Sequence, residues 1–248
     1  MPASTKPKKT RERAAVRVAR KLVREIQRRR MRPGAKLFSE HIMVEKYGVA
    51  RATIREALRF LELQGALRIK AGPGGGPIVS APGAGHLASV LSLHLQFTDA
   101  SFSSVIDARR AIYPVLAHQA AENIDREGME TLQDSIARMR DGVRDVDAFT
   151  DEARRFMSLV AVASGNRVLA VLVDALHRMS EGVGNDWDEK QRRSALVNYE
   201  RVTRAIEAGR ADEARTIMEE SLAAAARHWE RTAPDELKKP VAWIDFDH

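Results

Sequence analysis

Between Ser39 and Val79 the sequence leaves few folds open. Ile42, Met43 and Val44 give a short apolar face after Ser39, and Gly48 ends it. After a turn of about four residues a second periodic stretch runs from Arg51 to Gln64, with Ile54, Ala57, Leu58 and Leu61 on one side and Gly65 closing it. Two helices joined by so tight a glycine-bearing turn form a helix-turn-helix. Leu67-Arg68-Ile69-Lys70 then alternates like a strand, residues 72–77 are Gly and Pro throughout, and Ile78-Val79 returns, so a small hairpin wing should follow. Upstream, Val16, Ala19, Leu22, Val23 and Ile26 mark one face of a helix from about Thr10 to Arg30, stopped by Pro33-Gly34.

Charge separates this region from the rest. Residues 1–80 hold 20 Lys+Arg against 6 Asp+Glu, a balance of +14, whereas the remaining residues carry −7 within a total of +7. A basic segment on an acidic body indicates a polyanion-binding module attached to something with a different task. Charge alone leaves DNA, RNA and anionic membrane equally open. The chain of 248 residues has no cysteine, which removes disulfides and thiolate chemistry and accords with a cytoplasmic setting. No apolar run is long enough to span a bilayer, so no membrane partner is expected.

A helix that reads a major groove needs donors at its start and an apolar back. Arg51 and Arg55 are four apart, hence on one face, and arginine can donate two hydrogen bonds to a guanine edge. Ala52 is small where backbone approaches bases, and Thr53 can bond a base or phosphate. The competing reading, an ordinary basic surface helix, leaves the preceding helix, turn and wing unexplained. The Gly74–Gly76 run is read as a wing tip approaching DNA. A phosphate-cradling loop would need Gly-Lys-Ser/Thr opening a helix, which is absent, and a plain flexible turn is the other alternative.

After a linker at 81–86, everything from Leu87 to about 231 reads as helix, with short loops at Gly165, Gly182-Val183-Gly184 and Gly209. The fold class expected is mainly α: a winged helix-turn-helix at 10–80 and an antiparallel all-α bundle at 87–231. These are flanked by a disordered basic arm at 1–9 and a loose tail at 232–248, in which Trp243, Ile244 and Phe246 are candidates for docking.

The segments Arg32–Glu40 and Tyr47–Leu61, with Gly65 and the glycine wing, closely resemble the GntR family of regulators over about 14–80. That resemblance implies DNA contacts by His41, Arg51, Thr53, Arg55 and Gly72, with Ala52 among them. The family usually has Arg where His41 stands and Ser or Thr where Ala50 stands, so one phosphate contact and one helix cap are expected to be weaker. From Leu87 to Trp229 the chain resembles the FCD effector domain, through Val105–Ile112, Ala163–Asn166 and Ala205–Ala214. It implies a cytoplasmic homodimer on a palindromic operator, acting as a repressor under a small-molecule effector.

Many such domains hold a divalent metal with one Asp and three His. The matching positions here are Ala153, Met157, Tyr199 and Ser221, so neither metal nor cofactor is expected. The pocket is expected to use Arg109, Tyr113, Met157, Asn166, Tyr199 and Ser221. Arg109 lies on the inward stripe of its helix, where it either anchors a carboxylate or phosphate or pairs with a neighbouring acid, and the effector expected is an organic acid or an acyl thioester. An enzyme is disfavoured because no nucleophile–base pair stands at a telling spacing. A non-specific DNA- or RNA-binding protein with a structural helical domain is the alternative.

Overall fold

The computed structural model describes residues 6–72, 74–180 and 187–244. Residues 1–5 of the expected arm, the Gly182–Gly184 loop and Phe246 lie outside them. The chain divides into two compact units, Met1–His86 and Leu87–His248.

The first unit contains α1 (Lys6–Arg28), α2 (Glu40–Tyr47), α3 (Arg51–Leu63), β1 (Leu67–Lys70) and β2 (Gly76–Val79). Its core joins Ala15, Val18, Ala19 and Leu22 of α1 to Met43 of α2, to Ile54, Ala57, Leu58 and Leu61 of α3, and to Leu67. The buried stripe of α1 is rotated slightly from the expected one, since Val16 and Val23 are only half-buried. The helix already includes Lys6–Lys9, where a disordered arm was expected: these residues extend a helix whose packed part lies downstream. Gly48 ends α2 in the left-handed region, φ 62°, which lets the chain reverse into α3. The strands pair antiparallel, Leu67 opposite Val79 and Lys70 opposite Gly76, and Lys36 bridges to Ile78.

The second unit is helical: α4 (Ala84–Phe97, beginning in the expected linker), α5 (Phe102–Asn123), α6 (Arg126–Asp141), α7 (Val146–Ala163), α8 (Arg167–Arg178), α9 (Glu189–Glu207), α10 (Ala211–Thr232) and α11 (Pro234–Lys238). Side-chain caps set several starts: Asp125 for α6, Asp145 for α7, Asn166 for α8, and for α9 a capping box of Asp188 with Gln191. Helix α5 is the spine, packed against α7, α8, α9 and α10. Its Tyr113, Leu116, Ala117 and Ala120 meet Phe156 and Val160 of α7 and Ile217 and Met218 of α10 in one core. Among the described residues no helix is long and apolar enough to cross a membrane.

The segment after α10 is not the loose tail expected. Phe102 N–H donates to Lys239 O at 2.9 Å and Val241 N–H to Ala100 O at 2.9 Å, and Val241 is buried. Trp243 then lies along α4, its Nε1 donating to Ser89 Oγ at 3.0 Å, while Ile244 N–H donates to Ser92 Oγ at 3.1 Å. Two buried serines of α4 thus find partners in the chain end, and these bonds, with the burial of Val241, hold it in place.

Candidate nucleic-acid interface and effector cavity

Along α3 each residue turns the side-chain direction by about 100°. Arg51 and Arg55 therefore point the same way within about 40°, and both side chains are open to solvent, 77% and 72% exposed. Ala52 and His41 are exposed as well. Thr53 differs from the expectation. Two positions on from Arg51 it faces the opposite way and is only 5% exposed, so its hydroxyl is not on the open face. Ala50 is the N-cap of α3 and makes no side-chain cap bond; Ser39, though at the N-cap of α2, makes none either.

Glu40, at the start of α2, holds both guanidinium groups in the free protein, with Arg51 Nε 3.2 Å from Oε2 and Arg55 Nε 3.9 Å from Oε1. The pair is thereby oriented outward together. His41 stands beside it, 3.4 Å from Glu45. At the wing, Gly72 has φ 89° and Gly74 φ 72°, and Lys36 Nζ donates to Gly74 O at 2.9 Å. A Cβ on Gly75 would sit 2.2 Å from Lys70 O, so this turn needs glycine to form. Arg68 and Lys70 of β1 are exposed beside it.

The helical unit encloses a half-open cavity of about 130 Å³. Arg109, Met157 and Tyr199 line it, as the sequence suggested. Tyr113 lies beneath, fully buried, its hydroxyl 3.4 Å from His177 Nδ1. Asn166 and Ser221 are not brought there. Asn166 Oδ1 accepts from Leu169 N–H as the cap of α8, and Ser221 is half-buried on α10 away from the lining. The sequence reading missed His177 and Ser180 at the end of α8, Arg154 on α7, and Trp187 and Trp229.

Arg109 donates from Nη1 to Ser180 Oγ at 3.2 Å and lies 3.2 Å from His177 Nδ1 through Nη2; its buried Nε has no partner among the described residues. Burial first, then the positive charges of Arg109, Arg154 and Arg178, pull the His177 pKa down to about 2. The imidazole is therefore neutral and can accept from Arg109 at Nδ1. Burial pushes the Tyr113 phenol up to about 12 and raises Tyr199 as well, so both remain protonated donors. The four positions aligned with metal ligands offer no carboxylate or imidazole and do not fit a divalent ion. Among the described residues no group of three His, Cys, Asp or Glu could hold one.

His177 makes the stability of this unit depend on pH. Its folded pKa lies below the unfolded value of 6.5, so the unfolded chain binds the extra proton and stability falls as pH drops below 6.5. Going from about pH 7.5 to about pH 5.5 should cost about 1.4 kcal/mol, and His177→Asn, which keeps an acceptor near Nδ1, should remove most of that slope. Urea titrations read by tryptophan fluorescence check it, since Trp187, Trp229 and Trp243 all lie in this unit. An unchanged slope in the variant would assign the pH dependence elsewhere.

Comparison with known proteins agrees with both halves. Residues 14–75 match the gntR family of bacterial regulatory proteins, and residues 104–224 match the FCD domain. This chain belongs to the GntR family, with an FCD domain as its second half. It is a DNA-binding regulator, and regulators of this type are transcription factors, not enzymes. Among solved structures, Streptococcus agalactiae GntR is similar at 23% identity and a TM-score of 0.67, covering 86% of this chain and 99% of that one. E. coli McbR/YncC (18% identity, TM-score 0.45, 88% and 97% covered) and a putative GntR regulator from Rhodococcus sp. RHA1 (18%, 0.46, 88% and 98%) are also similar.

Proposed function

We propose that this GntR-family protein is a cytoplasmic repressor that binds a palindromic operator as a homodimer and responds to a carboxylate or acyl-type effector in the FCD cavity. The observation carrying the DNA reading is the paired, outward Arg51 and Arg55 on the open face of α3, with His41, Ala52 and the Gly72 wing beside them. A second copy of the chain is the natural cover for α4. Leu87, Val90, Leu93 and Phe97 are exposed along it, and its 14 residues contain no Asp, Glu, Lys or Arg. An uncharged apolar seam lets two acidic bodies meet. Effector binding would favour one arrangement of the dimer and change operator affinity by a coupling energy of about 1–3 kcal/mol.

Selection of duplexes from a random pool, followed by anisotropy titrations at several salt concentrations, tests this. The expected result is an inverted-repeat site bound about 10³-fold or more tightly than a scrambled duplex, with affinity falling steeply as salt rises. Equal affinity for both duplexes would reduce the protein to a non-specific binder.

A further inference from the structure

Helix α1 carries a charge that the fold does not use. Arg13, Arg17, Arg20, Lys21, Arg24 and Arg28 are all exposed on it. At about 100° per residue they fall within about 100° of one another, in a row about 22 Å long. Among the described residues none of them is paired with an acid. Glu25, the acid of this stretch, is buried and held by Lys46, Tyr47 and Arg29. Exposed helices of the second unit set acid against base at this spacing, as in Arg126 with Glu130 at 2.8 Å and Arg193 with Glu189 at 2.6 Å. On α1 the four-apart neighbours Arg13 and Arg17, Arg17 and Lys21, Arg20 and Arg24, and Arg24 and Arg28 are like charges, which weakens a helix. An anion from outside relieves that repulsion.

Ala15, Val18, Ala19 and Leu22, the side of α1 that packs in the core with α3, are centred about 160° round the helix from this row. The row is therefore turned away from α3, and a straight duplex seated on Arg51 and Arg55 leaves it uncovered. Three features select its occupant. Five of the six side chains are arginine, whose planar fork takes phosphate oxygens in pairs. The apolar side of α1 is committed to the core, so the helix cannot lay it into a membrane. No Phe, Tyr or Trp stands in α1 for single-stranded bases to stack on. A duplex backbone, with one charge per about 1.7 Å of axis, meets all three conditions. We infer that the outer face of α1 is a second, sequence-independent DNA surface, by which the protein seated on its operator grips a further stretch of duplex. This goes beyond the operator reading, which leaves these residues idle.

The test uses the full-length protein bound to saturation on bead-immobilised operator, to which a fluorescent scrambled duplex is added. The expected result is saturable capture of the second duplex, with an affinity that falls about 10³-fold between about 50 and 200 mM salt if all six cations meet phosphate. Arg17→Gln/Arg20→Gln/Arg24→Gln should weaken capture at least tenfold and make its salt slope shallower by about 2–3, one unit per lost contact. Operator affinity measured by anisotropy should stay within about threefold, and the variant should withstand urea at least as well as wild type, because like charges have been removed. Arg20→Gln/Lys21→Gln repeats the measurement with a milder change.

No capture by operator-bound protein, capture undiminished in the triple variant, or a parallel loss of operator affinity would overturn the inference. So would tighter binding of phosphatidylglycerol vesicles or of single-stranded RNA than of duplex, or loss of helical content in both variants, which would make the row part of the fold. The operator titration separates this inference from the proposed function. Operator discrimination without capture removes only the α1 surface, whereas capture lost in the triple variant of a protein that never discriminates operator leaves that surface and removes the regulator.

Discussion

Arg51→Ala and Arg55→Ala should each weaken binding to the selected operator far more than binding to a scrambled duplex. A good bidentate contact from arginine to guanine discriminates by about 1–3 kcal/mol, and a dimer presents each side chain twice, so each substitution should cost about 2–6 kcal/mol in specific affinity. That is roughly 30-fold to more than 10⁴-fold. Non-specific binding should fall only by the loss of one cation per protomer, visible as a slightly shallower salt slope. Glu40 sharpens the effect. Its carboxylate is shared by both guanidinium groups in the free protein, 3.2 and 3.9 Å away, so removing one arginine leaves more uncompensated negative charge beside the DNA. Anisotropy titrations with both duplexes at one salt concentration measure this. Parallel losses on the two duplexes would show that these side chains touch only phosphate.

The DNA-binding half was legible because its signals are local. A left-handed glycine at 48, a wing turn in which Gly75 lies too close to Lys70 O for any side chain, and two arginines four apart each declare themselves within a few residues. Thr53 shows the limit of that reading: family resemblance placed it at the DNA, but the rotation of the helix turns it inward. In the cavity, Arg109 was legible from the inward stripe of α5, and Met157 and Tyr199 only through the family resemblance. His177 and Trp229 come from helices whose own patterns look like ordinary core, and only packing brings them together. Asn166 misled for a related reason. Ser-Gly-Asn ahead of a helix is a cap signal, and the cap is what the side chain makes. The docked chain end depends on Ser89 and Ser92, about 150 residues away, which no local pattern can reveal.

Glu25 is the other residue whose importance is invisible in sequence, and its replacement should have the largest effect on stability. In a basic helix an acid four residues before Arg29 looks like a surface pair, and that pair does exist at 3.7 Å. Yet Glu25 is buried, and its main partners come from the far end of α2: Lys46 Nζ donates to Oε1, and Tyr47 Oη donates to Oε2 at 2.8 Å. Lys46 also sits over the Phe38 ring at 4.8 Å. The carboxylate thus pins the end of the first helix-turn-helix element to α1. The Lys46 hydrogen bond, opposed by burial, holds the Glu25 carboxyl below its ordinary range, and burial and Glu25 together raise Tyr47. Since the folded pKa is depressed, this stabilisation is present above the unfolded value of 4.5 and fades as pH falls through the folded one. Breaking a fully buried pair costs about 3–5 kcal/mol. Lys46 can turn partly to solvent here, so Glu25→Ala should cost about 2–3 kcal/mol, and Tyr47→Phe about 1 kcal/mol. The two losses should be non-additive, because both remove the same contact. Denaturation followed by far-ultraviolet circular dichroism should show an earlier transition for the N-terminal unit, while the tryptophan signal, confined to the second unit, stays unchanged. Operator affinity should fall in step, although no DNA-facing side chain has been altered. A shift in the tryptophan transition, or wild-type stability in Glu25→Ala, would remove the carboxylate from its place as the pin between α1 and α2.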